Sequence, residues 1–95
     1  MKIKADKSTL DVFGRVVQFG LRQQFEDKLF EMFYQSCLQS LIIKLAKASA
    51  RIRKTLTLHF TPAEAICYRW TIEFWNIALP NSYEFTISRK YFLEP

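Results

Sequence analysis

The sequence predicts an α+β domain: a two-layer sandwich in which a small sheet carries two long helices on one face. The alternative is a mostly helical fold with a single hairpin. Three observations lead there. No glycine or proline occurs between Leu21 and Pro62, and residues 21–50 repeat apolar side chains at helical spacing. Residues 52–60 then alternate apolar and polar, the period of a half-buried strand. Thr61-Pro62-Ala63-Glu64 follows, with a capping residue, a proline suited to the first helical position and a glutamate that closes a capping box, so a second helix starts there.

Each element has its own warrant. Across residues 8–20, Leu10, Phe13, Val16 and Val17 fit a helical face, but three valines, two phenylalanines and Gly14 favour an extended strand over 11–19, with Gly14 at a bulge or close approach. In the long helix of 21–50, Phe25, Leu29, Phe33, Cys37, Leu41 and Leu45 form one i, i+4 row and Phe30, Tyr34, Leu38 and Ile42 the next. A face this wide exceeds what so short a chain covers easily, so part of it is expected to meet another chain. Residues 61–79 form the second helix, ended by Pro80-Asn81. Tyr83, Phe85 and Ile87 alternate with Glu84, Thr86 and Ser88, predicting a last strand over 83–88 that runs parallel to 52–60 if the two are adjacent.

The 95 residues make one domain, 1–95. Hydrophobic residues at 49% and nine phenylalanines supply a core, and two glycines and three prolines exclude a disordered or low-complexity chain. Cys37 and Cys67 lie in apolar helical patterns, without a CxxC pair and with His59 as the one histidine, which argues against a disulfide framework and a zinc site. The charged start, Met1 to Lys7, is not followed by an apolar stretch, and no run approaches the ~20 apolar residues of a membrane span. A cytoplasmic protein without a membrane partner is expected.

Chemistry-bearing patterns are few. There is no glycine-rich phosphate loop, the carboxylates are scattered and His59 falls at a strand end, so the expectation is a protein that is not an enzyme and takes no cofactor, metal or small-molecule substrate. What stands out is charge. No acid occurs from Met32 to Ala63, and Lys44, Lys47, Arg51, Arg53 and Lys54 lie within eleven positions; without them nine cations balance nine acids. Helix-end cations complement the macrodipole, which accounts for Lys44, Lys47 and Arg51 locally. Arg53 shares the polar strand face with Thr55, Thr57 and His59, which helix ends do not explain. The expected function is contact: a protein-interaction or assembly subunit, a homo-oligomer or part of a larger assembly, using Phe30, Tyr34, Tyr68 and Trp75 as an aromatic strip beside a basic rim suited to an acidic protein. The alternative is a nucleic-acid-binding protein using the basic junction 44–54.

Overall fold

A computed structural model, which describes residues 1–93, orders the chain as β1 (Lys2–Asp6), α1 (Lys7–Leu21), α2 (Lys28–Arg51), β2 (Thr55–His59), α3 (Pro62–Ala78) and α4 (Tyr83–Phe92). The class is α+β: four helices and a two-stranded sheet. β1 and β2 pair antiparallel, with Ile3 opposite Leu58 and Lys4 opposite Thr57, and the Met1 and Phe60 backbones exchange two further bonds beyond the ladder. The strands alternate as their sequences require: Ile3, Ala5 and Leu58 enter the core, while Lys2, Lys4, Thr55, Thr57 and His59 face out.

Two expected strands are helices. Residues 11–19 lie inside α1, started by Asp6, whose side chain accepts from the Thr9 amide. Valine and phenylalanine cost at most ~0.7 kcal/mol each in a helix. Burial of such a side chain contributes roughly 1.5–3 kcal/mol. Val12, Phe13, Val16 and Val17 are all fully buried, so packing overrides propensity. Phe13 alone meets the rings of Phe60, Tyr68, Tyr91 and Phe92 edge-on. Residues 83–88 lie inside α4, capped by Ser82, which accepts from the Phe85 amide. As a helix this segment turns Phe85, Ser88 and Phe92 inward together, and Tyr68 and the buried Ser88 bond through their hydroxyls at 2.9 Å. The last strand and its parallel pairing are therefore replaced by β1 as the partner of β2.

The long helix begins later than its periodicity implies. Asp27 caps α2 by accepting from Leu29 and Phe30 amides, and Glu31 reaches back to accept from the Phe25 amide, so 22–27 turn the chain between α1 and α2. α2 and α3 run antiparallel. Phe30 stands on Trp70 near one end, Tyr34 bonds Thr71 in the middle, and Ser40 bonds Glu64 near the other end.

The two glycines occupy opposite environments. Gly14, expected at a bulge, is mid-helix with nothing within 4 Å of where a Cβ would project. Gly20 is where α1 crosses α2 and α3: a Cβ there would stand 2.6 Å from Leu38 Cδ1 and 2.8 Å from Thr71 Cγ2. Denaturation of the two alanine variants should therefore move in opposite directions. Gly14→Ala gains about 0.5–1 kcal/mol from helix propensity. Gly20→Ala loses about 1–3 kcal/mol to overpacking.

Candidate functional site

Glu64 organises the region where α2, β2 and α3 meet. It is the third residue of α3, only 4% exposed, and closes a capping box in which Thr61 Oγ1 accepts from its amide and its carboxylate accepts from the Thr61 amide at 2.8 Å. The same carboxylate accepts from Lys44 Nζ at 2.6 Å and Ser40 Oγ at 3.1 Å on α2. Lys44 Nζ also donates to the His59 carbonyl at 2.7 Å. Burial opposes ionisation of Glu64, but the bond from Lys44, the Thr61 amide, the Lys44 charge and Ser40 together outweigh it and hold the carboxyl below its ordinary value of 4.5. Lys44 is thus committed to an internal partner, and the basic cluster has one member fewer than its sequence implies.

The remaining cations are exposed. Lys47 and Arg51 lie on α2 and Arg53 and Lys54 on the bend before β2, and among the described residues none pairs with an acid. An open cleft of about 220 Å³ separates the end of α2 from β2, lined by Lys44, Arg51, Thr57, Leu58 and His59. The pairing register adds two cations: Lys2 stands beside His59 and Lys4 beside Thr57, all on the solvent side. Reading the sequence missed them because the N-terminal segment has no pattern of its own beyond five alternating residues.

The aromatic strip is mostly interior, a correction to its expected role. Tyr34 and Tyr68 are fully buried, their hydroxyls bonded to Thr71 and Ser88. Burial pushes the Tyr34 phenol up to about 12 and raises that of Tyr68 further. Trp75 is nearly buried and donates from Nε1 to Ser82 Oγ at 2.7 Å. Phe30 is half-buried against Phe25, Tyr34 and Trp70. What is exposed instead is the outer face of α2. Its core seam is Tyr34, Leu38, Leu41, Leu45 and Ala48; an i, i+4 row drifts around the helix, so the row from Phe25 to Leu45 leaves Leu29 and Phe33 outside while Leu41 and Leu45 go in. Every exposed α2 residue between Lys28 and Lys47 is uncharged: Leu29, Met32, Phe33, Ser36, Gln39, Ser40, Ile43 and Ala46. Leu29 is 79% and Met32 65% exposed. At helical spacing these lie on one face, about 26 Å long.

Two other features complete the surface. A groove of about 350 Å³ between α1 and α2 has Leu10, Gly14, Ile42 and Leu45 in its lining and Asp11 and Arg15 on it. Cys67 is buried beside half-buried Cys37; burial and the hydrogen bond with Cys37 push its thiol up to about 12, and both thiols are free. Among the described residues no helix is long and apolar enough to cross a membrane. His59 is exposed, its carbonyl held by Lys44. Compared with known protein-family models, curated proteins and solved structures, the chain matches none.

The Glu64 network makes a pH-dependent prediction. A carboxyl whose folded value lies below its unfolded value contributes stability above the unfolded value, and loses it as pH falls through the folded one. Glu64→Ala should cost roughly 2–4 kcal/mol at neutral pH, because it removes a cap and strands a partly covered ammonium. Its stability deficit should shrink as pH falls below about 4.5. By carbon-detected NMR titration, Glu64 should titrate below 4.5 in the parent and shift upward in Lys44→Met, where burial is less opposed.

Proposed function

We propose that the protein is a non-catalytic assembly subunit whose α2 outer face docks against the same face of a second copy. The observation that carries this is the uncharged stripe: on a small basic protein, four turns of exposed helix without a charge form a surface that water solvates poorly. The stripe also has an internal symmetry that selects the partner. About a two-fold axis at Ser36, antiparallel pairing brings Ile43 of one copy against Leu29 of the other, and the small Ser36 occupies the centre, where the helices approach most closely. The same pairing lays Lys47 beside the exposed Glu26 and Asp27 at the start of the partner's helix, so the basic exit of each α2 meets the acidic approach to the other. Parallel pairing would instead set Lys47 against Lys47.

Aromatic anchors are not the source of affinity in this arrangement, since Tyr34 and Tyr68 are occupied inside the fold. Leu29, Met32, Phe33 and Ile43 supply the apolar contact and Lys47 the flank. Sedimentation velocity across the micromolar range should show a concentration-dependent dimer. Phe33→Glu with Ile43→Glu should give a monomer with unchanged circular dichroism, because both side chains are exposed. A parent that stays monomeric throughout, or a charged double variant that still dimerises, contradicts the proposal.

A further inference from the structure

We propose that the solvent face of the two-stranded sheet, together with the end of α2, is a docking surface for the phosphate backbone of duplex nucleic acid, read without regard to sequence. Two chain segments distant in sequence converge there, residues 2–6 and 51–59. β1 brings Lys2 and Lys4, the end of α2 and the following bend bring Arg51, Arg53 and Lys54, and β2 brings the hydroxyls of Thr55 and Thr57 and the imidazole of His59. Strand geometry sets Lys2 and Lys4 about 7 Å apart on one face and their β2 neighbours about 5 Å away. The register places Lys2 by His59 and Lys4 by Thr57, while Arg51 faces Thr57 and His59 across the cleft of about 220 Å³. The surface is therefore an extended field of cations interleaved with hydroxyls and open at its ends, which fits a string of phosphates better than one enclosed phosphate.

Among the described residues the acids of this region are Asp6, exposed on the same face opposite Thr55, and Glu64, which is buried. Asp6 stands at the far end of β1 with its side chain accepting from the Thr9 amide. Glu64 is buried beneath Lys44. No phenylalanine, tyrosine or tryptophan lies on the solvent face of either strand and His59 is its one ring, so single-stranded bases have little to stack on, and the contacts available are chiefly to backbone phosphates. The site uses neither the apolar stripe of α2 nor Lys47, so it stands independently of the assembly reading.

The test is fluorescence anisotropy with a labelled, short, mixed-sequence DNA duplex, titrated with the full chain. Five phosphate contacts give a slope of log affinity against log salt of about −4.5, a loss of a few hundred-fold between about 50 and about 200 mM salt. Lys2→Glu with Lys4→Glu should reduce the slope by about 2 and weaken binding at least tenfold. Arg69→Glu with Lys90→Glu, the same charge change on the exposed sides of α3 and α4, should leave the slope unchanged. Absence of binding at the lowest salt overturns the proposal, as does equal weakening by the two double variants. Displacement of the duplex by inorganic phosphate at micromolar concentration also overturns it, since that result belongs to a small-anion pocket.

Discussion

The buried carboxylate of Glu64 is the interaction from which the arrangement of both outer surfaces follows. It starts α3 in a capping box and simultaneously holds Ser40 and Lys44, while Lys44 carries the connection on to the β2 backbone. Ser40 and Lys44 are one turn apart, so bonding both to one carboxylate fixes the rotation of α2 about its own axis. With that rotation set, Tyr34, Leu38, Leu41 and Leu45 go inward, and the stripe from Leu29 to Ala46 has nowhere to go but out. The cost of burying a charge is offset by three partners, Lys44, Thr61 and Ser40, the condition under which a buried ion survives.

The same network divides the cations by role. Lys44 neutralises Glu64 and belongs to the interior chemistry of the fold. Arg51, Arg53 and Lys54 continue beyond it to the sheet, where β1 supplies Lys2 and Lys4. Charge is thus segregated along the molecule, whose longest dimension is 41 Å: a stripe without charge on the flank of α2, and a cationic field beyond its C-terminal end. Uniformly mixed surface charge would favour neither surface; segregation leaves one suited to apolar contact and another suited to anions.

How much of this was legible in the sequence depended on whether a signal was local. The capping box of Thr61 and Glu64, the helical stretch through Tyr34 to Leu45 and the alternation of β2 are short-range patterns, and they appear as read. The valines of α1 and the alternating Tyr83-Glu84-Phe85-Thr86-Ile87-Ser88 misled because local propensity is worth tenths of a kcal/mol, while burial of Val12, Val16 and Val17, or the Tyr68–Ser88 bond, is decided by neighbours far along the chain. β1 was invisible for the same reason: its five residues become a strand by pairing with residues 49 to 57 positions away. Arg51, Arg53 and Lys54 could be singled out from charge alone, but their association with Lys2 and Lys4 exists only through the register. The exposed stripe was hidden inside a row that looked uniformly apolar, because the drift of an i, i+4 row around a helix moves its ends to opposite sides.

The claim on which the account turns is that α2 pairs with α2 of a second copy about an axis at Ser36. Intermolecular nuclear Overhauser effects, recorded on an equal mixture of isotope-labelled and unlabelled protein, test it directly. Antiparallel pairing predicts cross-peaks between Ile43 of one copy and Leu29 of the other, and between the two copies of Ser36. Cross-peaks joining Ile43 to Ile43, or none from the α2 stripe at concentrations where the protein self-associates, would contradict it.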